Sequence, residues 1–566
     1  AFEQYHGSGL SALNNIEKNN GLTSPAQFNR NQFGFDIGGP VLFPRFGEGD
    51  PELSYDGRNR TFFFYLFQGD RTTTGAQPGT TVRIPTPAGF AALNNVPLRD
   101  GQTASSRNAI LNSISFLPSI YGLNPVFRGL NTQTINGAGI ETGLTNIPIT
   151  QPSNIYSHLI RIDHKLAEND NLTIRYSSNK RTASNVASNL QFGELFSGDQ
   201  LILDQNVALS ETHVFSPNML NEFRFSYIRR NLNFPENDPT TPTSGITGNF
   251  TVGGAATFPQ GRVQNSYQYS DTLSWLIGRH SLKFGADIRR IQLFNLSAFD
   301  SKGTFTFDNL QDFLNNNAST FLQALQTASF DARQTQQSYF AQDDFRITPN
   351  LTFNIGLRYE YSSVPFGFFG ATDPQSLAAL VAGPVQTDKN NFAPAIGFNY
   401  SPRAKSGILG KLFGDGTSVI RGGYRIAYDV LFYNILSVNA SNFPRVVVGQ
   451  LNNAVDVFPN LTPVTGAPVF DPTATFVNTP SDAQNPYSEL YSLSFQRSFG
   501  HDYVLEIGYT GSNSFHQINQ LEANQAILTD AQAATVVSTG DPLSIPDAQA
   551  RRVLSQFGSR VLLATS

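Results

Sequence analysis

The chain has 566 residues, with 38 basic against 43 acidic side chains and a net charge of -5, so nothing draws it generally to nucleic acid. Only 14 % of residues are charged, while Phe (47), Gly (47) and Tyr (20) are abundant and Cys is absent. That mixture suits strands and turns, excludes cysteine nucleophiles and thiolate metal sites, and fits passage through an oxidising periplasm.

No apolar run reaches the length of about 18 residues that a transmembrane helix needs. The start, Ala1-Phe2-Glu3-Gln4-Tyr5-His6, does not resemble a signal peptide. Residues 31–43 and 60–69 read as a first, less regular hairpin, with 1–10 a candidate for one more strand. Residues 70–150 are rich in Pro, Gly and Asn and follow that hairpin, so an extracellular loop is expected there instead of a folded plug. Helical spacing appears at 104–117.

From residue 156 onward the pattern is regular. Leu172, Ile174 and Tyr176 alternate with Thr173, Arg175 and Ser177, and Phe223, Phe225 and Tyr227 with Glu222, Arg224 and Ser226. Leu282, Phe284, Ala286 and Ile288 oppose Lys283, Gly285, Asp287 and Arg289. Helical spacing at 309–331 predicts a short helix inside a long loop. The clearest strand is 351–361, where Leu351, Phe353, Ile355, Leu357, Tyr359 and Tyr361 alternate with Thr352, Asn354, Gly356, Arg358 and Glu360. Side chains on a strand point to opposite faces in turn, so one face is oily and the other wet.

The expected hairpins are 156–166/172–180, 203–215/219–230, 267–277/282–293, 336–347/351–362, 392–400/417–430 and 487–498/503–514. Short turns lie near 167–171, 216–218, 278–280, 348–350, 401–416 and 499–502, and long polar segments occupy 181–200, 231–266, 362–390 and 431–486. Short turns alternating with long loops, on strands of about ten residues, describe an all-β, antiparallel outer-membrane barrel. Strands of soluble β proteins average roughly 5–6 residues, which counts against a sandwich or propeller. The barrel region is expected over 1–520, as about 14–15 strands, with 521–566 a loop or truncated continuation.

Phe353, Ile355, Leu357 and Tyr359 are therefore expected to face lipid, and Asp163, Arg175, Arg224, Asp287, Arg358 and Glu360 to face the lumen. A five-residue turn between Leu166 and Leu172 would place Asp163 opposite Arg175. Asp343-Asp344 are adjacent on a strand and point to opposite faces, so they are not expected to converge on a metal or a proton. The histidines at 6, 158, 164, 213, 280, 501 and 516 show no metal-ligand spacing, and no nucleophile or phosphate motif appears. No catalytic, cofactor or metal residue is assigned, and no enzyme activity is expected. Gly422-Gly423 suit a strand passing close to a plug or loop. Arg229-Arg230 and Arg289-Arg290 lie at outer strand ends, where solvated rim charge is favoured over contact with lipopolysaccharide phosphate.

Several motifs in order resemble Oar-like TonB-dependent receptors, abundant in Acidobacteria. Asn31-Gln-Phe-Gly-Phe-Asp-Ile-Gly-Gly-Pro40 with Arg60-Thr-Phe-Phe-Phe64 resembles their first barrel hairpin, and 338–361 their most distinctive one. Asn391-Phe-Ala-Pro-Ala-Ile-Gly-Phe398, 414–424, Asn485-Pro-Tyr487 and 504–512 extend the likeness. The resemblance implies TonB-dependent uptake of a scarce nutrient (a metal chelate, oligosaccharide or peptide) with no cofactor. It also implies contact with outer-membrane lipid and lipopolysaccharide, and with the TonB complex through upstream segments. In the family a carboxypeptidase-regulatory-like domain and a plug precede such a barrel, which has about 22 strands, so an incomplete, C-shaped barrel unable to drive transport alone is expected. A non-transporting surface-display or adhesive barrel and a soluble all-β binding protein are the alternatives.

Overall fold

In a computed structural model the described residues are 2–6, 28–44, 53–74, 77–325, 328–365, 386–430, 448–459, 476–478, 483–500, 502–522, 524–539, 550–552 and 560–565, with a few isolated ones between. Fifteen strands form one continuous antiparallel sheet in chain order. They are β1 (Phe2–His6), β2 (Phe28–Pro40), β3 (Thr61–Thr74), β4 (Ser153–Ala167), β5 (Asp170–Ser188), β6 (Ser197–Ser216), β7 (Met219–Phe234) and β8 (Gln260–Ile277). The series continues with β9 (His280–Ser297), β10 (Ala328–Thr348), β11 (Leu351–Ser362), β12 (Phe392–Tyr400), β13 (Ser418–Tyr428), β14 (Tyr487–Phe499) and β15 (Tyr503–Phe515). Each inner strand pairs with its two neighbours in this order, and among the described residues β1 and β15 pair on one side only. No described helix is long and apolar enough to cross a membrane.

Strands outrun the alternating pattern. Much of the expected loop 181–200 is ladder, because β5 continues to Ser188 and β6 begins at Ser197. Polar residues occupy both faces there, so alternation ceases while backbone pairing goes on.

The first regular turn is tighter than expected. Asp170 pairs with Ala167, and Asn171 with Lys165, so Leu166 is the extra residue of a bulge. The tighter turn and the bulge together shift the register by two residues, to the next neighbour on the same face: Asp163 faces Thr173, and Arg175 faces Arg161. The expected Asp163–Arg175 pairing is thus corrected. The turn near 401–416 contains a short helix, Gly407–Phe413.

The larger of the two buried hydrophobic clusters among the described residues lies outside the large sheet. Between β3 and β4, strands Gln77–Pro85, Ala138–Ile149 and Arg128–Ile135 make a sheet beside helices Pro87–Leu93, Ala104–Ser113 and Leu117–Tyr121. Thr86 and Thr103 cap the first two helices by accepting from Gly89 N and Ser106 N. A second small sheet joins Thr243–Ile246, Thr251–Val252, Thr304–Phe307, Asn317–Ala324 and Val448–Val455. Ile84, Ile110, Leu117, Phe192, Phe250, Phe305 and Phe458, from five different loop segments, share one hydrophobic cluster. Among its described residues the 309–331 segment is helical only at Leu310–Leu314; Asn317–Ala324 is a strand and β10 begins at Ala328. Helical spacing there marks a residue face buried in the loop core, which a strand satisfies equally.

Beyond β15, Arg560–Thr565 lies between Ile518–Glu522 and Phe476–Asn478 and pairs with both, apart from the large sheet, and Asp530–Thr539 is helical. Most of the segments 362–390 and 431–486 lies outside the described residues.

Candidate functional site

Cross-strand partners in a sheet share a face, so the pairings sort side chains without reference to their chemistry. One lateral row runs Asp163, Thr173, Ser210, Arg224, Ser270, Asp287, Ser338, Glu360 across β4 to β11. Four of the six candidate polar residues therefore lie on one line. Arg175, partnered by Arg161, and Arg358, partnered by Phe340, occupy the adjacent rows of the same face.

Charges two residues apart on this face neutralise one another. Arg161 reaches Asp163 at 2.8 Å and Arg358 reaches Glu360 at 2.6 Å. Arg224 Nε donates to Glu222 Oε1 at 2.8 Å. Thr173 Oγ1 donates to Asp163 Oδ1 at 2.7 Å, and Arg358 Nη2 to Ser338 Oγ at 2.8 Å. Arg175 has no ion-pair partner among the described residues. Arg161, Arg175 and Arg224 line a concave pocket of about 480 Å³ together with Thr173, Ser210 and Gln268. Charged pairs at i and i+2 on one strand face were the sequence signal that could have assembled this patch, including Arg161 and Glu222, which were not singled out.

The opposite face carries Phe353, Ile355, Leu357 and Tyr359. Ile355 pairs with Asp343 and Ile396, and Ile396 with Tyr424. Ile355 and Leu357 are about half exposed, 51 % and 49 %, so this face leaves apolar side chains uncovered by the rest of the protein.

Asp343 and Asp344 part company: Asp343 accepts from His280 Nδ1 at 2.7 Å on the apolar face, whereas Asp344 accepts from Asn354 and Gln342 on the other. Pairing also gathers groups that linear spacing conceals. Asp170 partners His213, and Leu172 partners Glu211. This brings donor atoms of Asp170, Glu211 and His213 within 4.8 Å of one another, with Asp170 hydrogen-bonded to His213 Nδ1. They stand at the short-turn end of the apolar face, and only the register could have disclosed them.

Gly422 is covered by Phe398: a Cβ there would meet the ring at 2.5 Å. The neighbour is a side chain of the same sheet, paired directly across from it, which corrects the expectation of a plug or loop at Gly422; Gly423 lies on the polar face. Gly285 stands against Phe340 in the same manner.

Solved structures with similar chain paths include the outer membrane transporter YddB from Escherichia coli (10 % identity, TM-score 0.49, 88 % of this chain and 48 % of that one). Two more come from Pseudomonas aeruginosa: the siderophore receptor PirA (8 %, TM-score 0.42, 96 % and 57 %) and the ferripyoverdine receptor bound to ferripyoverdine (8 %, TM-score 0.45, 95 % and 50 %). The chain spans about half the length of these proteins. No curated protein sequence matches it. The family described as outer membrane beta barrel domain matches residues 1–565. With its fifteen-stranded meander, polar on one face and apolar on the other, the chain belongs to this outer-membrane β-barrel family.

Proposed function

We propose that the chain is the barrel wall of a TonB-dependent receptor that takes up a scarce nutrient, with the polar face lining the lumen and Phe353, Ile355, Leu357 and Tyr359 facing lipid. The observation that carries this is the unbroken polar row from Asp163 to Glu360, backed by an opposite face of uncovered apolar side chains. A wet, shaped wall serves passage or capture, and the folded loops at one end supply a surface for first contact with a ligand. Coupling to TonB rests on the motif resemblance, as does the Oar-like assignment. No catalytic step and no cofactor belong to it.

Among the nutrients considered, the arginine-lined pocket favours those carrying negative charge, because Arg175 holds an uncompensated guanidinium beside Arg161 and Arg224. Uptake of a labelled acidic peptide, acidic oligosaccharide and anionic metal chelate by cells carrying the complete protein is the test. Transport predicts accumulation inside the cell that is lost without TonB, and that drops on Arg175→Glu. Surface binding with no TonB-dependent accumulation of any nutrient would instead favour a display or adhesive barrel.

A further inference from the structure

β3, β5, β7 and β9 all rise from the short-turn end, opening on Thr61, Asp170, Met219 and His280. Ten residues further along each one stands a basic residue: Arg71, Lys180, Arg229 and Arg290. An even interval keeps the face, and the pairings place all four on the apolar side. Arg71 is two residues beyond Gly69, which pairs with Phe33; Lys180 pairs with Tyr156, Arg229 with Asn265 and Arg290 with Tyr267. Below them on that face lie Phe63, Tyr65 and Phe67, then Leu172, Ile174 and Tyr176, then Phe223, Phe225 and Tyr227, then Leu282, Phe284 and Ile288.

Ten residues at about 3.3 Å each, tilted by about 40°, climb roughly 25 Å, the height of the apolar band of an outer-membrane barrel. The four cations thus sit at one depth, where hydrocarbon ends on the loop side. Lateral partners drift by one pair from strand to strand, as tilted barrel strands require, and the basic positions follow that drift. At the same interval in β11, β13 and β15 stand Tyr361, Tyr428 and Asn513, and Arg333 of β10, on the same face, has Asp331 as an ion-pair partner, so the unpaired charge at this interval falls in an arc over β3–β9.

None of the four pairs with a carboxylate among the described residues. Arg71 Nε donates to the Tyr156 hydroxyl at 2.8 Å, Arg229 Nη1 to Asn265 at 2.9 Å and Arg290 Nη1 to Thr335 at 2.6 Å. These contacts, with the Phe33 and Tyr156 rings under Arg71, orient the guanidinium groups without neutralising them. The side chains next to two of them in sequence, Arg230 and Arg289, fall on the opposite face, Arg230 near Asp204 at 3.6 Å and Arg289 donating to Gln268.

We propose that Arg71, Lys180, Arg229 and Arg290 form a binding arc for the phosphate groups of membrane lipids in the leaflet at the loop end. The inference needs only that the barrel sits in a bilayer, so it stands or falls independently of transport. The test uses the full chain in phosphatidylcholine bilayers and compares the motionally restricted fractions of spin-labelled phosphatidic acid and phosphatidylcholine. Phosphatidic acid should be preferred severalfold. The preference should weaken with salt, fall by up to roughly fivefold for each charge removed, and vanish on combined replacement of all four by Gln. Lys180→Gln alone, at a side chain with no hydrogen bond or ion pair among the described residues, supplies the answer if the combined variant does not fold. Arg230→Gln with Arg289→Gln should leave the preference intact. Equal restriction of both lipids, an unchanged preference after the arc is neutralised, or equal loss from the inward pair would each overturn the proposal. Displacement of the labelled lipid by inorganic phosphate alone would also overturn it, pointing to a soluble-anion site.

Discussion

At the scale of single residues, the two faces of β11 differ in what they tolerate. Ile355 is four residues above the strand's start at Leu351, a rise of roughly 10 Å along a tilted strand, which places it near mid-depth of the apolar band. Ile355→Arg should lower the unfolding free energy by about 2–4 kcal/mol, measured by denaturant titration of the chain in lipid vesicles. Asn354→Arg, one residue away on the polar face, should cost far less. Equal costs would mean that the faces are misassigned. A second residue-scale effect lies in the loop joining β7 and β8. Burial pushes the Asp238 carboxyl upward, but hydrogen bonds from the hydroxyls and backbone N–H groups of Thr240 and Thr241 outweigh it and hold its pKa below the usual value. A depressed carboxylate stabilises the fold above its unfolded pKa, and the contribution is lost as pH falls through the folded value. Asp238→Asn should therefore melt earlier than the parent at neutral pH, and the gap should close in acid. A gap that stays constant with pH would show that the hydrogen bonds do not depend on the charge.

Between strands, the contacts that need most room are the glycines beneath aromatic rings. Phe398 lies over Gly422 and Phe340 over Gly285, each ring where a Cβ would stand. The ring covers backbone that glycine leaves bare, a cross-strand device that also fixes register. Gly422→Ala should cost about 1–3 kcal/mol through forced displacement of the ring. In a Phe398→Ala background the same change should be nearly neutral, because nothing remains to displace. Thermal melts of the four variants of this cycle measure the coupling, and simple additivity would sink the packing explanation. The Leu166 bulge acts at the same scale, moving the partners along the hairpin by one residue, so that Asp163 meets Thr173 where an unbulged ladder from Ala167–Asp170 would set it against Ile174.

For the molecule as a whole, the division of labour is between a sheet that is amphipathic across its thickness and a loop assembly that holds the hydrophobic core. An outer-membrane barrel needs no apolar centre, since its oily surface is buried by lipid. The loops, standing in water, must bury theirs against one another. This predicts two separable stabilities. Removing detergent or lipid should expose the sheet's apolar face and leave the loop core protected. The edges make a further prediction, because unpaired backbone groups are not tolerated in hydrocarbon. In bilayers, the amide N–H groups of β15 that point away from β14 should exchange with solvent as slowly as those of central strands. Rapid exchange there would show an edge that water reaches.

Period-two alternation is a local property, and it alone disclosed the strands, their two faces and the outer-membrane barrel class: Phe353 to Tyr359 and Arg358 with Glu360 could be sorted without any partner strand. Fifteen strands in one sheet were likewise countable from alternation and turns, down to the short first strand. Register was not legible, because it depends on turn geometry, and a single bulged residue at Leu166 displaced the partner of every side chain after it. The gathering of Asp170, Glu211 and His213, the polar row through Asp163 and Glu360, and the single depth of Arg71, Lys180, Arg229 and Arg290 all depend on register. The loop core was hidden for a different reason. Its members come from five segments far apart in the chain, each too short and irregular to show a period, and only their mutual exclusion of water makes them one structure.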